Sequence, residues 1–352
     1  MKIEMHKDEE SWLEARKQSL GGSDQAARLL WRGDMYFWLR KNPAARKKFR
    51  AEIAEEDERE REKASVNMPA RKALEPVIES WLAEARGIEI VDPGDYCILR
   101  SDNARWHYSP DGLVGDLYRD DDRLMFINAG PILESCSGST ADLKGVAEYK
   151  TVSPYAAWKW DDEPDLYATL QIQSLYAWPD AGDWAPAILA AFIGYGDGPN
   201  DRLIYDVEPN PDLIELIQES TERFWRYVKE DKPPPPDGFE DTKRSIDIIY
   251  RARRKGHKTT ITLGTPWIAK DLEHQRLVRE IDQLERKRKQ IEQEIAVEMG
   301  QNDAALAAVP ADENQPGRTW LRVETEVKES LCDCGAVKRR GYTYTKTQPL
   351  KG

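Results

Sequence analysis

Residues 145–152, GVAEYKTV, decide the reading of this chain. The segment reads as a strand, and side chains on a strand leave alternate faces. Glu148 and Lys150 therefore share a face, while Tyr149 points away and leaves its backbone carbonyl between them. A carboxylate and an ammonium on one face of a buried strand are costly unless they serve each other or a bound ion. Taken alone, such a pair is usually an ordinary surface pairing, so its company decides.

Two further acids are candidates to join it. Ser109-Pro110-Asp111-Gly112 precedes a strand expected over 112–118, which places Asp111 at a turn. If that strand pairs with 145–152, Asp111, Glu148 and Lys150 converge. Leu74-Glu75-Pro76 opens an amphipathic helix expected over 70–85, on the spacing Leu74, Val77/Ile78, Trp81/Leu82, Ala85. Pro76 is expected in its first turn, where proline is tolerated. Carboxylates and a lysine so placed suit phosphodiester hydrolysis. Mg²⁺ takes oxygen ligands and keeps waters, a second ion neutralises the leaving oxygen, and Lys150 orients or deprotonates the attacking water. None of the four histidines is placed to help.

Outward from these motifs, a helix is expected over 11–19, with Ser11 and Glu14 at capping-box spacing. Gly21-Gly22-Ser23-Asp24 interrupts it before a second helix. Residues 51–63, dense in Glu and Arg, read as a solvated helix with intrahelical pairs. Strands are expected over 88–91, 97–100, 112–118, 124–128, 145–152, 187–195 and 202–207, and helices over 164–178 and 211–229. That order describes an α/β or α+β core with a mixed sheet. The core spans 1–236, with an inserted loop or hairpin over about 119–144, and ends at four consecutive prolines, 233–236. A Pro-rich, basic connector follows at 237–268. A long amphipathic helix is expected over 269–300, where Leu277, Ile281, Leu284, Ile291 and Ile295 form a heptad seam broken by Arg288. Residues 301–352 form a tail or small hairpin.

The 352 residues carry 52 Lys plus Arg against 64 Asp plus Glu, for a net charge of −12. An acidic chain argues against passive coating of DNA, which draws on cation release from a basic surface. It does not argue against an enzyme with a local basic track and an acidic metal site. No stretch reaches the roughly 20 apolar residues of a membrane helix, and the opening MKIEMHKDEESW holds no signal-peptide core. Four cysteines are too few for a disulfide scaffold in a chain of this length, so the expected compartment is the cytoplasm.

Five motifs stand in order: WLEARKQSLGGSD at 12–24, ALEPVI at 73–78, SPDGLV at 109–114, EYK at 148–150 and LQIQ at 170–173. Together they resemble the YqaJ-like and lambda-exonuclease family of phage recombination nucleases, within the PD-(D/E)xK superfamily. The resemblance implies a restriction-endonuclease-like core and a two-metal, Mg²⁺-dependent 5′-to-3′ exonuclease on double-stranded DNA, with Mn²⁺ as a substitute. It implies 3′ single-stranded tails, a single-strand-annealing protein as partner, and a homo-oligomeric ring of three subunits in the cytoplasm of a bacterial host. By the same resemblance Asp111 is shared between the metals, and Glu148 and the Tyr149 carbonyl bind the nucleophile-side ion. Lys150 is the catalytic lysine, Glu75 the helical acid near the second ion, and Arg16, Ser23 and Ser109 hold the 5′-phosphate. Gly21-Gly22 agrees with that role, since glycine lets backbone approach closely. The 36 residues between Asp111 and Glu148 exceed the family's short hairpin.

Gln171 and Gln173 do not share a helix face. Gln173 lines up with Leu166, Leu170 and Ala177 on an apolar face and is the preferred active-site residue. Gln171 lines up with Tyr167, Ser174 and Trp178 and is the second choice. Trp31, Trp38, Trp158 and Trp160 are candidates for stacking on DNA, and the basic stretch 243–258 for a phosphate track. Asp120-Asp121-Asp122 reads as a turn. The lone Cys332-Asp-Cys334 lacks the paired spacing of an iron–sulfur site. Two rival readings remain: an endonuclease or nickase on the same scaffold, and a catalytically inactive DNA-binding assembly protein. Against the second stand the intact Asp111, Glu148 and Lys150.

Overall fold

The computed structural model describes residues 2–64, 68–115, 117–120, 123–126, 143–160, 163–179, 186–196, 198, 200–251, 262–301, 306–309, 318–327, 330–331, 337–339 and 342–349. The chain divides into two compact units, Met1–His257 and Lys258–Gly352.

The first unit opens with β1 (Lys2–Met5) and α1 (Glu9–Arg16). Asp8, not Ser11, caps α1 by accepting the Ser11 N–H at 2.8 Å. A carboxylate facing orphan amides at a helix start is a stronger acceptor than a hydroxyl, and Glu14 is drawn instead to Lys17 and Arg46. Next come α2 (Gly22–Ala27), a π-turn at Arg28–Arg32, α3 (Gly33–Lys41), α4 (Pro43–Lys48), α5 (Arg50–Ala64) and α6 (Met68–Arg86). In α5 the expected intrahelical pairs form, Arg59 with Glu55 at 2.5 Å and with Glu56 at 3.7 Å, and the helix is also tied to its neighbours. Asp57 pairs with Arg40 at 2.7 Å, Glu60 with Arg32 at 2.8 Å, and Glu56 with Arg244 at 3.4 Å. Pro76 lies inside α6 rather than in its first turn, because the helix starts at Met68. Pro76 cannot donate to the Lys72 carbonyl, but it is exposed, so water can reach that carbonyl.

The strands follow: β2 (Ile90–Val91), β3 (Cys97–Arg100), β4 (His107–Tyr108), β5 (Gly112–Gly115), β6 (Leu117–Asp120), β7 (Arg123–Phe126) and β8 (Leu143–Val152). The expected insertion begins as the β6–β7 hairpin, in whose backbone register position 120 stands opposite 123. Asp121, Asp122 and residues 127–142 lie outside the described residues. After β8 come α7 (Leu166–Tyr176), β9 (Ala187–Ile193), β10 (Arg202–Val207), α8 (Pro211–Lys229) and α9 (Glu240–Arg251).

The fold is mixed α/β around a five-stranded sheet, ordered β10-β9-β8-β5-β2. β8 and β9 run parallel and the other neighbours antiparallel. A parallel pair needs a crossover, and α7 supplies it. Alternation along β8 then sorts the two faces. Ala147 and Tyr149 join Ala190, Phe192, Ile78 and Leu82 in a core against α6. Val146 and Val152 join Leu189, Ala191 and the α7 residues Leu170, Ile172 and Leu175 on the other side. Arg28 ties α2 to α8: its guanidinium donates to Gln25 at 2.7 Å, Asp34 at 2.6 Å and Ser220 at 2.8 Å. The α9 helix, within the stretch expected as a connector, places Ile249 in a core with Phe37 and Phe224.

The second unit contains the long helix α10 (Pro266–Gln301), followed by β11 (Leu306–Val309), β12 (Arg318–Val327), β13 (Ser330–Leu331), β14 (Val337–Arg339) and β15 (Tyr342–Pro349). Strands β11, β12 and β15 form one antiparallel sheet. On α10 the seam residues Leu277, Ile281, Leu284 and Ile291 are exposed. No helix among the described residues is long and apolar enough to cross a membrane.

Candidate active site

The β5–β8 register pairs Gly112 with Ala147. Extended by one residue, it sets Asp111 opposite Glu148. Asp111 Oδ2 accepts the Tyr149 N–H at 2.7 Å. Glu148, only 2% exposed, has both oxygens occupied by donors. Tyr108 Oη donates to Oε2 at 2.8 Å, Gln171 Nε2 donates to Oε1 at 2.5 Å, and the Lys150 ammonium also reaches Oε1. The same-face geometry expected of Glu148 and Lys150 is thus a direct ion pair.

The electrostatics are those of acids crowded out of water. Burial first, then the Glu148 charge, pushes the Asp111 carboxyl well above the usual carboxylate range. Glu75, on α6, is raised by burial, then by Asp95 and Glu148, with Lys72 pulling the other way. Burial opposes the Lys150 charge, but Glu148 and Asp111 outweigh it and raise its pKa. Among the described residues, no three His, Cys, Asp or Glu side chains close into a metal-ligating group. Glu75 faces the same cleft as Asp111 and Glu148, yet it stands on the helix that covers the opposite face of the sheet. In chemical kind the donors fit a hard divalent cation: the buried carboxylate oxygens of Asp111 and Glu148, with the Glu75 carboxylate facing the same cleft.

The cleft, about 290 Å³, has a second pole lined by Arg16, Gly21, Gly22, Ser23, His107 and Ser109. Arg16 ends α1. Its guanidinium lies 4.4 Å over the Trp12 ring, and its Nη2 donates to Ser23 Oγ at 3.4 Å. Its backbone carbonyl accepts from Lys41 Nζ at 2.7 Å, and Lys41 pairs with Asp24 at 2.8 Å. Asp24 in turn accepts the Gly21 N–H at 3.1 Å. Burial works against the Asp24 charge, but Lys41 and Arg16 overcome it and hold the carboxyl below its usual range. Ser109 Oγ is buried without a hydrogen-bond partner. The glycine pair is required here by space. A Cβ on Gly21 would meet His107 Nε2 at 2.5 Å, and one on Gly22 would meet the Gln171 carbonyl at 2.8 Å.

Arg16, Ser23, Glu75, Ser109, Asp111, Glu148 and Gln171 therefore share one cleft, with Lys150 bound to Glu148. Gln173, preferred on sequence, points elsewhere. Its Nε2 donates to the Glu208 carbonyl at 2.6 Å and its Oε1 accepts the Asn210 N–H at 2.9 Å, which fastens α7 to the start of α8. Gln171, the second choice, is the glutamine on Glu148. A histidine does enter the site: His107 borders the cleft and accepts from Arg16 Nε at 3.3 Å. Its one sequence signal was position, since His107-Tyr108 runs directly into the SPDG motif. Trp38 is buried, with its indole N–H on the Tyr227 carbonyl, and Trp160 is buried against Tyr205. Both are core residues rather than stacking platforms. Trp31 is exposed and stacks on Tyr167 at 4.9 Å. The Trp158 side chain, Cys136, Cys332, Cys334 and residues 252–261 lie outside the described residues. Within the expected basic track, Arg244 is engaged by Glu56 and Asp241.

No family model and no curated protein matches the sequence. Two solved structures are similar to it at 16% identity over 69% of this chain. One is an alkaline exonuclease, LHK-Exo, from Laribacter hongkongensis, 96% of which is covered at a TM-score of 0.38. The other is LHK-Exo in complex with dAMP, 97% of which is covered at a TM-score of 0.37. Similarity at this level leaves the function to be argued from the cleft itself.

Proposed function

We propose that this chain is a divalent-metal-dependent deoxyribonuclease that degrades one strand of duplex DNA from its 5′ end. The observation behind this reading is the meeting, in one cleft, of the Asp111–Glu148–Lys150 group with the Arg16–Ser23–Ser109 group. A strand end offers a matching pattern: a terminal phosphate for the cationic pole and the next phosphodiester for the acidic one.

Asp111, Glu148, Glu75 and the Tyr149 carbonyl would hold two Mg²⁺ ions, or Mn²⁺ in their place, which supply Lewis acidity at the scissile phosphate and acidify the attacking water. Gln171 and Tyr108 fix the rotamer of Glu148. Lys150 orients the attacking water and offsets charge that builds on the phosphate oxygens. Arg16, Ser23 and Ser109 receive the terminal phosphate. The water oxygen bonds to phosphorus and the P–O3′ bond breaks, releasing a 5′-mononucleotide. The shortened strand again ends in a 5′-phosphate, so each turnover recreates the group that the Arg16 pole binds. The complementary strand is left as a 3′ tail, the substrate class of a single-strand-annealing protein.

The test is digestion of linear duplexes labelled at either end, with Mg²⁺ or with chelator. Label at the 5′ end should appear first, as mononucleotide, and only with metal. Internal fragments would favour the endonuclease reading. A protein inert with both Mg²⁺ and Mn²⁺ would favour the inactive DNA-binding reading.

A further inference from the structure

Arg16 is held from behind by a chain of hydrogen bonds that the hydrolysis itself does not use. Glu4, on β1, accepts from Arg100 Nε at 2.8 Å through each of its oxygens. Arg100 Nη1 donates to Ser19 Oγ at 2.7 Å, and Ser19 Oγ lies 2.8 Å from His107 Nδ1. Arg16 Nε then donates to His107 Nε2 at 3.3 Å. Ser19 and His107 are fully or almost fully buried.

The protons in this chain follow from the chemistry of its members. A guanidinium only donates, so His107 Nε2 must carry a lone pair and the ring must be neutral. Its proton is therefore on Nδ1 and points at Ser19 Oγ, which also accepts from Arg100. Burial, with Arg16 and Lys41 close by, keeps the imidazole uncharged by lowering its pKa well below 6.5; Asp24 opposes them and Arg100 acts with them. Trp12 meanwhile covers the face of the Arg16 guanidinium, and Lys41 holds its backbone carbonyl. The Nη nitrogens remain on the Ser23 side, in a cleft where the buried Ser109 hydroxyl has no partner. Gly21 lacks a side chain where the His107 ring passes.

We propose that His107 is a positioning residue: by accepting from Arg16 Nε it aims the Nη edge of Arg16 at a terminal phosphate, and so sets a preference for 5′-phosphate over 5′-hydroxyl ends. The inference rests on the nuclease reading and deepens its cationic pole. A histidine that merely filled space would affect stability and leave that preference alone.

The experiment measures kcat and KM with Mg²⁺ on duplexes ending in 5′-phosphate or 5′-hydroxyl, for the wild type, His107→Leu and His107→Gln. Leucine fills the site without an acceptor, whereas the glutamine Oε1 reaches close to the position of Nε2. The leucine variant should raise KM on phosphorylated ends about tenfold, as expected for loss of one charge-assisted contact. The drop should fall on KM rather than kcat, the preference should approach one, and glutamine should restore most of it. Wild-type preference in the leucine variant, equal losses on both ends, or no recovery with glutamine would each overturn the proposal. If the leucine variant does not fold, His107→Asn, whose amide is too short to reach Arg16, takes its place. A wild type that digests no DNA sinks the nuclease reading instead. Anisotropy of labelled duplexes with either end then still tests His107, because equal affinity of the wild type for both ends would overturn the inference on its own.

Discussion

The two poles of the cleft are similarly buried but carry opposite imbalances. Around Glu148, the lysines Lys150 and Lys72 do not offset the burial and crowding of the acids, and Asp111 and Glu75 are pushed up. Around Arg16 the cations prevail: Lys41 and Arg16 pull Asp24 down against its burial, and burial together with the same cations keeps His107 neutral. Each pole lacks the charge that the other has in excess. A site with a cation-deficient pole and an anion-deficient pole suits a ligand that brings both, such as a phosphate chain with its metal ions.

The largest effects should come from breaking the acidic pole. Glu148→Gln and Lys150→Ala should each lower single-turnover hydrolysis by about three orders of magnitude, in the range of a lost catalytic proton or charge relay. DNA binding should survive both. Loss of binding in step with hydrolysis would mean that the pair holds the fold and not the chemistry. At the cationic pole, Arg16→Ala should weaken use of 5′-phosphorylated ends about ten- to a hundredfold while affecting 5′-hydroxyl ends much less. An unchanged ratio would remove end binding from that pole.

The two glutamines of α7 offer a finer contrast, two residues apart. Gln171→Ala should slow hydrolysis about tenfold, because it frees Glu148 to rotate. Its melting temperature should stay close to wild type. Gln173→Ala leaves the Asn210 N–H and the Glu208 carbonyl without partners, so it should lower the melting temperature by about 2–4 °C for each kcal/mol lost. Kinetics should barely change. The reverse pattern would restore Gln173 as the active-site residue.

That contrast also marks the limit of what the sequence showed. Strand alternation in GVAEYKTV placed Glu148 against Lys150, because a period of two is enforced by the backbone. The segments 202–207 and 211–229 were legible to the residue, the second through Pro211 at its start and a clear apolar stripe. Helix α7 was different. From Ala168 to Trp178 nearly every side chain is buried, with Gln171 at 7% and Gln173 at 1% exposure. Periodicity separates a wet face from a dry one, and a helix buried all round has no wet face to read. The Asp8 cap lay just ahead of the residue expected to cap. His107 was hidden for another reason: its partner Arg16 is 91 positions away, and no local pattern records such a contact. Trp38 and Trp160 were sought as stacking surfaces, but a large aromatic ring is more often core.

The smallest effect tests the poles through acid. His107 has a folded pKa depressed below its usual 6.5. As pH falls below that value, the unfolded chain takes up a proton that the folded chain refuses. Stability rises with pH wherever the unfolded state binds more protons. The His107 contribution is therefore complete above about 6.5 and is lost progressively as the pH falls toward the depressed value. Asp24, also depressed, adds its own loss only later, below the usual 3.8 of an aspartate. Asp111 and Glu75, raised in the folded chain, act with the opposite sign as the pH falls, so the His107 part is read by difference: between pH 6.5 and 5 the melting temperature of the wild type should lose more, or gain less, than that of His107→Gln, while the two share the lower slope. Should the variant and the wild type change alike in that window, the acid sensitivity comes from elsewhere and His107 is not held neutral by its surroundings.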